Sequence, residues 1–182
     1  MTNAVAIIET EHRNLARVLK TLEAIVDRLE SDPRPGDVDR LFDICHYVRV
    51  FPDAIHHPKE DHYIFGPLRS EVPDRHEVLD SVHEQHARCV EHTRRLHDAV
   101  TGYDAGKVSA AALREVVSAY VAFQYEHMRL EESEVLPLAR KHLDPASLDG
   151  AGRAFASHGD PLFGENLESG FEALRQRIVA AA

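Results

Sequence analysis

Cysteine is scarce in this chain. There are two, Cys45 and Cys89, among 182 residues. Each falls within an apolar helical pattern, and no Cys-x-x-Cys or zinc-thiolate spacing exists. We read both as buried thiols of a reducing compartment. Long apolar runs are missing too: nothing approaches the roughly 18 residues of a membrane span. Met1–Glu11 carries no basic stretch and no cleavage-site pattern, so secretion is not expected and a cytoplasmic location is. Positive charge is in deficit, with 21 Lys and Arg against 31 Asp and Glu, a formal net charge of −10. That balance argues against nucleic acid and anionic membrane as partners, because both reward basic patches. No Ser-His-Asp order and no Gly-rich phosphate loop is found.

Histidine is in excess. The chain has 13, where ordinary usage would give roughly four. Hydrophobic residues, at 43%, suffice for one core, and the length suits one domain.

Apolar residues recur at three- and four-residue steps, the period of a helix. Val5, Ile8, His12, Leu15, Leu19, Leu22, Val26 and Leu29 predict a first helix over about 3–30, ended by the loop Ser31-Asp32-Pro33-Arg34-Pro35-Gly36. A second helix is expected over 37–69, with a kink or local unwinding at Pro52 and Pro58 and a frayed end at Gly66-Pro67. A third covers 74–100, with Leu79, Val82, His86, Cys89, Val90, Thr93 and Leu96 on one face. Gly102 and Gly106 bracket the next turn. The fourth runs from the Ser109 cap to His142, bent near Pro137, with Val116, Val117, Tyr120, Phe123, His127, Leu130, Val135 and Leu138 inward. Short connections make neighbours antiparallel. The fold expected is all-α, an antiparallel up-down four-helix bundle over 1–143. A short helical extension over 144–182, with helices near 145–156 and 165–180, packs on it.

His12, His86 and His127 each lie on the apolar stripe of a separate helix, and the pair His56/His57 lies in the kinked region. One such histidine is usually a hydrogen-bonded core residue; four helices doing so together call for a shared ligand. The second helix reads His56-His57-Pro58-Lys59-Glu60-Asp61, the fourth His127-Met128-Arg129-Leu130-Glu131-Glu132. The i, i+4 spacing sets histidine and glutamate one turn apart on one face. Buried carboxylates need positive partners, and few Lys or Arg share these faces. Metal cations meet that need; pairing of Glu60 and Glu131 with His or Arg across the core is the competing reading.

These residues resemble the hemerythrin-like proteins, also called the HHE cation-binding domain. The likeness rests on Glu11-His12-x-Asn14-Leu15, the two His-x-x-x-Glu-acid blocks and Gln85-His86, and covers about Val5 to His142. It implies metal ligands at His12, His56, Glu60, His86, His127 and Glu131, with both glutamates bridging two iron ions. Oxygen-carrying members place two histidines four apart in the third helix. Here His86 has Val82 and Val90 at those offsets, so His83 or His57 is the candidate for a further ligand. His57 lies about 100° round from His56 on a straight helix; only a kink at Pro58 would aim both at the site. Asp61 and Glu132 are read as groups that back the ligands or lie at the surface.

Two six-coordinate ions offer about twelve positions. The six ligands and a bridging oxide or hydroxide leave two open, His57 would fill one, and His83 the last. Mixed imidazole and carboxylate suits non-haem iron, with manganese or zinc as substitutes. A histidine-rich set favours a reduced ferrous pair. The expected function is therefore binding or sensing of O2 or NO, or handling of iron and oxidative or nitrosative stress. A di-iron peroxidase, oxidase or NO reductase is the alternative, with Tyr47, Tyr120 and Tyr125 near enough in sequence to assist. A structural zinc-binding interaction module is the third reading. The oligomeric state has no sequence signal.

Overall fold

The computed structural model describes residues 3–164 and 171–180, and no strand occurs among them. The helix expected over 165–180 begins, in the described part, only at Glu172; positions 165–170 lie outside the described residues.

Helix α1 (Ala4–Arg28) starts where the Asn3 side chain accepts the Val5 amide at 3.1 Å. Its buried stripe is Val5, Ile8, Leu15, Val18, Leu19, Leu22, Ile25 and Val26, interrupted by Glu11 and His12. The loop to α2 (Asp37–Val50) turns at Gly36, whose φ of 77° lies in the left-handed region. Asp37 holds this corner. Its carboxylate accepts from the Arg34 amide at 2.8 Å and from the guanidinium groups of Arg28 and Arg40.

Burial pushes the Asp37 carboxyl up, but the Arg34 amide and the Arg28 and Arg40 guanidinium groups outweigh it, leaving the group below its ordinary value. Asp37→Ala should therefore destabilise the fold by about 2 kcal/mol at neutral pH. A group lowered on folding contributes stability above its unfolded value and loses it as pH falls through the folded one. The gap between wild type and variant should accordingly shrink below about pH 4 in urea titrations.

The second long segment is continuous but not uniform. After α2 come a wide π-type turn (Pro52–His56), α3 (His57–Glu60), a second wide turn (Asp61–Phe65) and α4 (Gly66–Glu71). The chain thus continues past Gly66-Pro67 to Glu71 rather than fraying there. The fourth segment repeats the device: α6 (Ala110–Leu130), a wide turn (Glu131–Val135) and α7 (Leu136–His142). Pro58, Pro67 and Pro137 each follow such a turn by two residues. A proline ring clashes with the carbonyl four residues back. Widening the preceding turn to i→i+5 bonding, as in Leu136 N–H to Glu131 C=O, relieves the clash without breaking the helix.

Between these segments α5 (His76–Asp104) runs unbroken and includes Gly102. A Cβ at Gly102 would lie 2.5 Å from the Val108 side chain, so close packing, not a turn, requires glycine there. The turn itself falls at Gly106, with φ 67°.

The helices close a ring: α1 packs on α2 and α6, and α5 on α2 and α6. One apolar cluster joins the end of α1, the start of α2, the end of α5 and the start of α6 through Leu22, Leu41, Leu96 and Leu113. The other joins Val5, Leu68, Leu79 and Leu136 from the opposite helix ends. Neighbours are therefore antiparallel, up-down-up-down. The two apolar clusters stand above and below a polar layer, since His12 lies between Ile8 and Leu15. Five expected core positions differ: Val90 is 54% exposed, and Val116, Phe123, Leu130 and Leu138 are half-buried, Phe123 covered by the His92 ring and Arg88. Each lies one residue from a fully inward position, Cys89, Val117, Gln124, Glu131 and Ala139.

Helix α8 (Pro145–Ala156) begins at the Asp144 cap and packs on α1 through Ala151 and Phe155. Beyond it Asp160 accepts from the Tyr47 hydroxyl and from Asn14, each at 3.2 Å. Phe171, Leu174 and Ile178, at and within α9 (Glu172–Ala180), join the upper apolar cluster. No helix is long and apolar enough to cross a membrane among the described residues.

Candidate metal centre

Five histidines and two glutamates meet in the polar layer: His12 from α1, His56, His57 and Glu60 around α3, His86 from α5, and His127 and Glu131 from the end of α6. All are buried, and Glu60 and Glu131 are 0% exposed. Their donor atoms form overlapping groups, each within 4.8 Å: His12, His56, Glu60 and Glu131; then Glu60, His86, His127 and Glu131; then His57, His86 and His127. The two glutamates belong to both four-residue groups. His12 Nε2 lies 3.2 Å from Glu131, His56 Nε2 3.3 Å from Glu60, and His86 Nε2 3.3 Å from Glu131.

His56 and His57 both face inward, towards different parts of the layer, their ring centroids 5.5 Å apart. His56 faces His12, while the His57 ring stacks on His86 at 4.4 Å and meets His127 edge-on at 5.0 Å. The wide turn ending at His56 makes this feasible, because more residues per turn bring successive side chains closer in direction. His83 stands outside this layer. Its side chain is 62% exposed, and its Nδ1 lies 2.9 Å from Asp61. Asp61, His83 and His86 do form a further small donor group, at the rim.

The other ring nitrogens follow one rule. His56 Nδ1 donates to Glu11 at 2.6 Å, His127 Nδ1 to Gln85 Oε1 at 3.0 Å, and His12 Nδ1 to Glu132 at 3.0 Å; His86 Nδ1 lies 3.2 Å from Asp61. The donors of these oxygens run round the bundle in chain order. The first helix orients the histidine of the second, the second that of the third, the third that of the fourth, and the fourth that of the first. Holding the proton on Nδ1 presents an Nε2 lone pair inward, the tautomer a metal needs.

Sequence reasoning singled out Glu11 and Gln85 only as parts of a motif; for Asp61 and Glu132 it left open whether they back the ligands or lie at the surface, and both lie against an inward histidine. A signal was available: each of the four adjoins an inward residue, Glu11/His12, Glu60/Asp61, Gln85/His86 and Glu131/Glu132. One step along a helix turns a side chain about 100° towards the neighbouring helix.

The layer demands cations. His12 and His56 face each other Nε2 to Nε2 at 3.3 Å, with both Nδ1 protons already engaged. Two lone pairs at that distance repel, so a proton or a metal cation has to lie between them. Both Glu60 oxygens, Glu131 Oε2 and His127 Nε2 are buried without a hydrogen-bond partner. The titration behaviour says the same. Burial alone would lower His12 and His86, yet Glu131 with Glu132 raises the first to about 9, and Asp61 with Glu131 raises the second to about 9. Burial opposes ionisation of Glu131, but His127, His12 and His86 hold it far below the carboxylate range. His127 itself is held down to about 4 by burial, against the pull of Glu131. Protons thus crowd the places where the donor set would put metal ions, and metal binding would expel them.

Glu11 also lines a groove of about 500 Å³ between α1 and the segment around Phe155, Asp160 and Phe163, so one edge of the layer borders solvent. Among the tyrosines, Tyr47 is buried on Asp160, Tyr120 is buried beside Asp53 and Cys89, and Tyr125 lies at the surface. Cys45 and Cys89 are free and buried, and burial pushes the Cys45 thiol up to about 12.

A four-helix bundle enclosing a buried histidine–carboxylate layer defines a metal-binding class of protein. The hemerythrin HHE cation-binding domain model matches residues 3–139. The chain belongs to that family. No curated protein and no solved structure is similar enough to match.

Proposed function

We propose that the chain holds two iron ions in this layer and binds or senses a small diatomic ligand, O2 or NO. The observation that carries the reading is that Glu60 and Glu131 each belong to two donor groups at once, the arrangement by which a carboxylate spans two ions. His12 and His56 would serve one ion, and His57, His86 and His127 the other. Were both glutamates to span two six-coordinate ions with one solvent-derived bridge, about one of twelve positions would stay open, on the His12–His56 side, which has fewer imidazoles and borders the groove. A ferrous pair supplies the electrons that a bound diatomic draws on. The chain's own residues would hold the ions, fix the imidazoles of His12, His56 and His127 by their Nδ1 protons and keep bulk water out with apolar clusters on both sides. A role in iron or stress handling is compatible with the same chemistry.

Elemental analysis with optical spectra of anaerobic and oxygenated protein tests the reading. About two irons per chain and a spectrum that changes reversibly with O2 or NO are expected; less than about one metal per chain would end it. Variants separate the two extra candidates. His57→Ala should lower iron to about one per chain, whereas His83→Ala should leave it near two; equal losses would contradict the assignment of His57.

A further inference from the structure

Three of the five inward histidines hydrogen-bond through Nδ1, and a fourth, His86, has an Asp61 oxygen 3.2 Å from its Nδ1 without a well-aligned bond. His57 has no oxygen as near. Its Nδ1 faces Asp53, one turn earlier on its own segment, at 3.7 Å, too long for a direct hydrogen bond. Asp53 is not alone. Seven buried polar atoms gather on this side without a well-formed protein hydrogen bond: His57 Nδ1, both Asp53 oxygens, Thr93 Oγ1, Tyr120 Oη, and the Gln124 oxygen and nitrogen. Thr93 lies within loose reach of both the Asp53 carboxylate and the Tyr120 hydroxyl, and Gln124 of Cys89, so these neighbours satisfy the group only in part. Tyr120 and Gln124 are at most 1% exposed and Thr93 is 4% exposed. Thr93 and Tyr120 each lie seven residues, two helical turns, from His86 and His127, so the group sits directly beyond the histidine layer on the same helix faces.

A buried polar atom with no partner costs about 1–3 kcal/mol. Seven poorly satisfied atoms in one place favour a shared partner, and buried water supplies about three hydrogen bonds per molecule. The side chains of the group are themselves at most 6% exposed, so any such water is internal rather than bulk.

We propose that Asp53, Thr93, Tyr120 and Gln124 enclose a binding site for ordered water, and that Asp53, through that water, is the positioning residue for His57. The site completes on one side of the layer what Glu11, Asp61, Gln85 and Glu132 do by direct contact on the others. Water is the fitting occupant because the group offers donors and acceptors mixed: carboxylate, amide and hydroxyls. Asp53 lies on the same segment as His57, so no neighbouring helix is needed to reach it. The inference rests on the proposed two-ion centre with His57 as a donor.

The test uses the full chain, metal-free and loaded anaerobically with ferrous iron alone. Asp53→Leu removes the carboxylate without leaving a buried charge. Its metal-free form should melt at or above the wild-type temperature, while its affinity for the second ion falls about 10–100-fold. Asp53→Asn keeps an oxygen towards His57 and should retain two ions. A crystal structure of loaded wild type should show at least one ordered water bonded to Asp53 and Thr93, and Thr93→Val should displace it. If Asp53→Leu does not fold, the crystal structures and the Asp53→Asn loading decide. Wild-type second-ion affinity in Asp53→Leu, equal destabilisation of its metal-free and loaded forms, or a dry site would overturn the proposal. Wild type itself holding fewer than two ions would instead sink the two-ion centre, and this inference with it.

Discussion

Glu131→Ala should empty the centre, taking iron from about two per chain to well below one. Glu131 reaches His12 Nε2 at 3.2 Å and His86 Nε2 at 3.3 Å, on opposite sides of the layer. Removing it takes a donor from both ions and leaves the imidazoles without the anion that offsets two cations. His127→Ala should cost about one ion, because His127 belongs only to the groups on the His57–His86 side. Histidines outside the layer provide the control: His97 is exposed and His142 half-buried, and alanine at either should leave metal content unchanged. Metal analysis after desalting, checked by circular dichroism for fold, reads the series. If the layer and control variants lost metal alike, the assignment of faces would be wrong.

Metal removal should produce the second large effect. At free metal about 1,000-fold above the dissociation constant, each ion adds about 4 kcal/mol to the folded state. In a chain of this size that corresponds to a melting temperature higher by about 10 °C per ion. The stripped protein keeps two carboxylates at 0% exposure among five imidazoles, and burial together with Glu131 pushes the Glu60 carboxyl above its ordinary range. A calorimetric scan with and without a chelator, under argon, measures the difference. An unchanged melting temperature after verified metal loss would show that ions contribute nothing to the fold and would count against a buried two-ion site. Glu60→Gln separates charge from cavity effects: it removes a buried negative charge at nearly constant volume, so the metal-free variant should be at least as stable as metal-free wild type.

The i, i+4 spacings of His56 with Glu60 and His127 with Glu131 could be read from the chain because a single helix sets which face a residue takes. Four antiparallel helices were readable for the same reason, together with their short connections. The prolines announced irregularity, but not its form. Whether Pro58 breaks, bends or widens a helix depends on the energy of neighbouring packing, and widening keeps α4 attached and the apolar residues Ile64 and Leu68 in the core. Near-miss positions such as Val90 and Phe123 arise because one residue is only about 100° of rotation, less than the width of an apolar stripe.

The sequence by itself determined the bundle and the pairing of histidine with glutamate within helices, since both depend on interactions a few residues apart. Only the tertiary structure decided that His57 turns into the layer while His83 does not, and which oxygen holds which imidazole. His12 meets Glu132 across 120 positions and His56 meets Glu11 across 45. Contacts of that separation depend on how helices are rotated against each other. Local periodicity does not specify that rotation; the packing of the two apolar clusters, and three turns widened ahead of prolines, do.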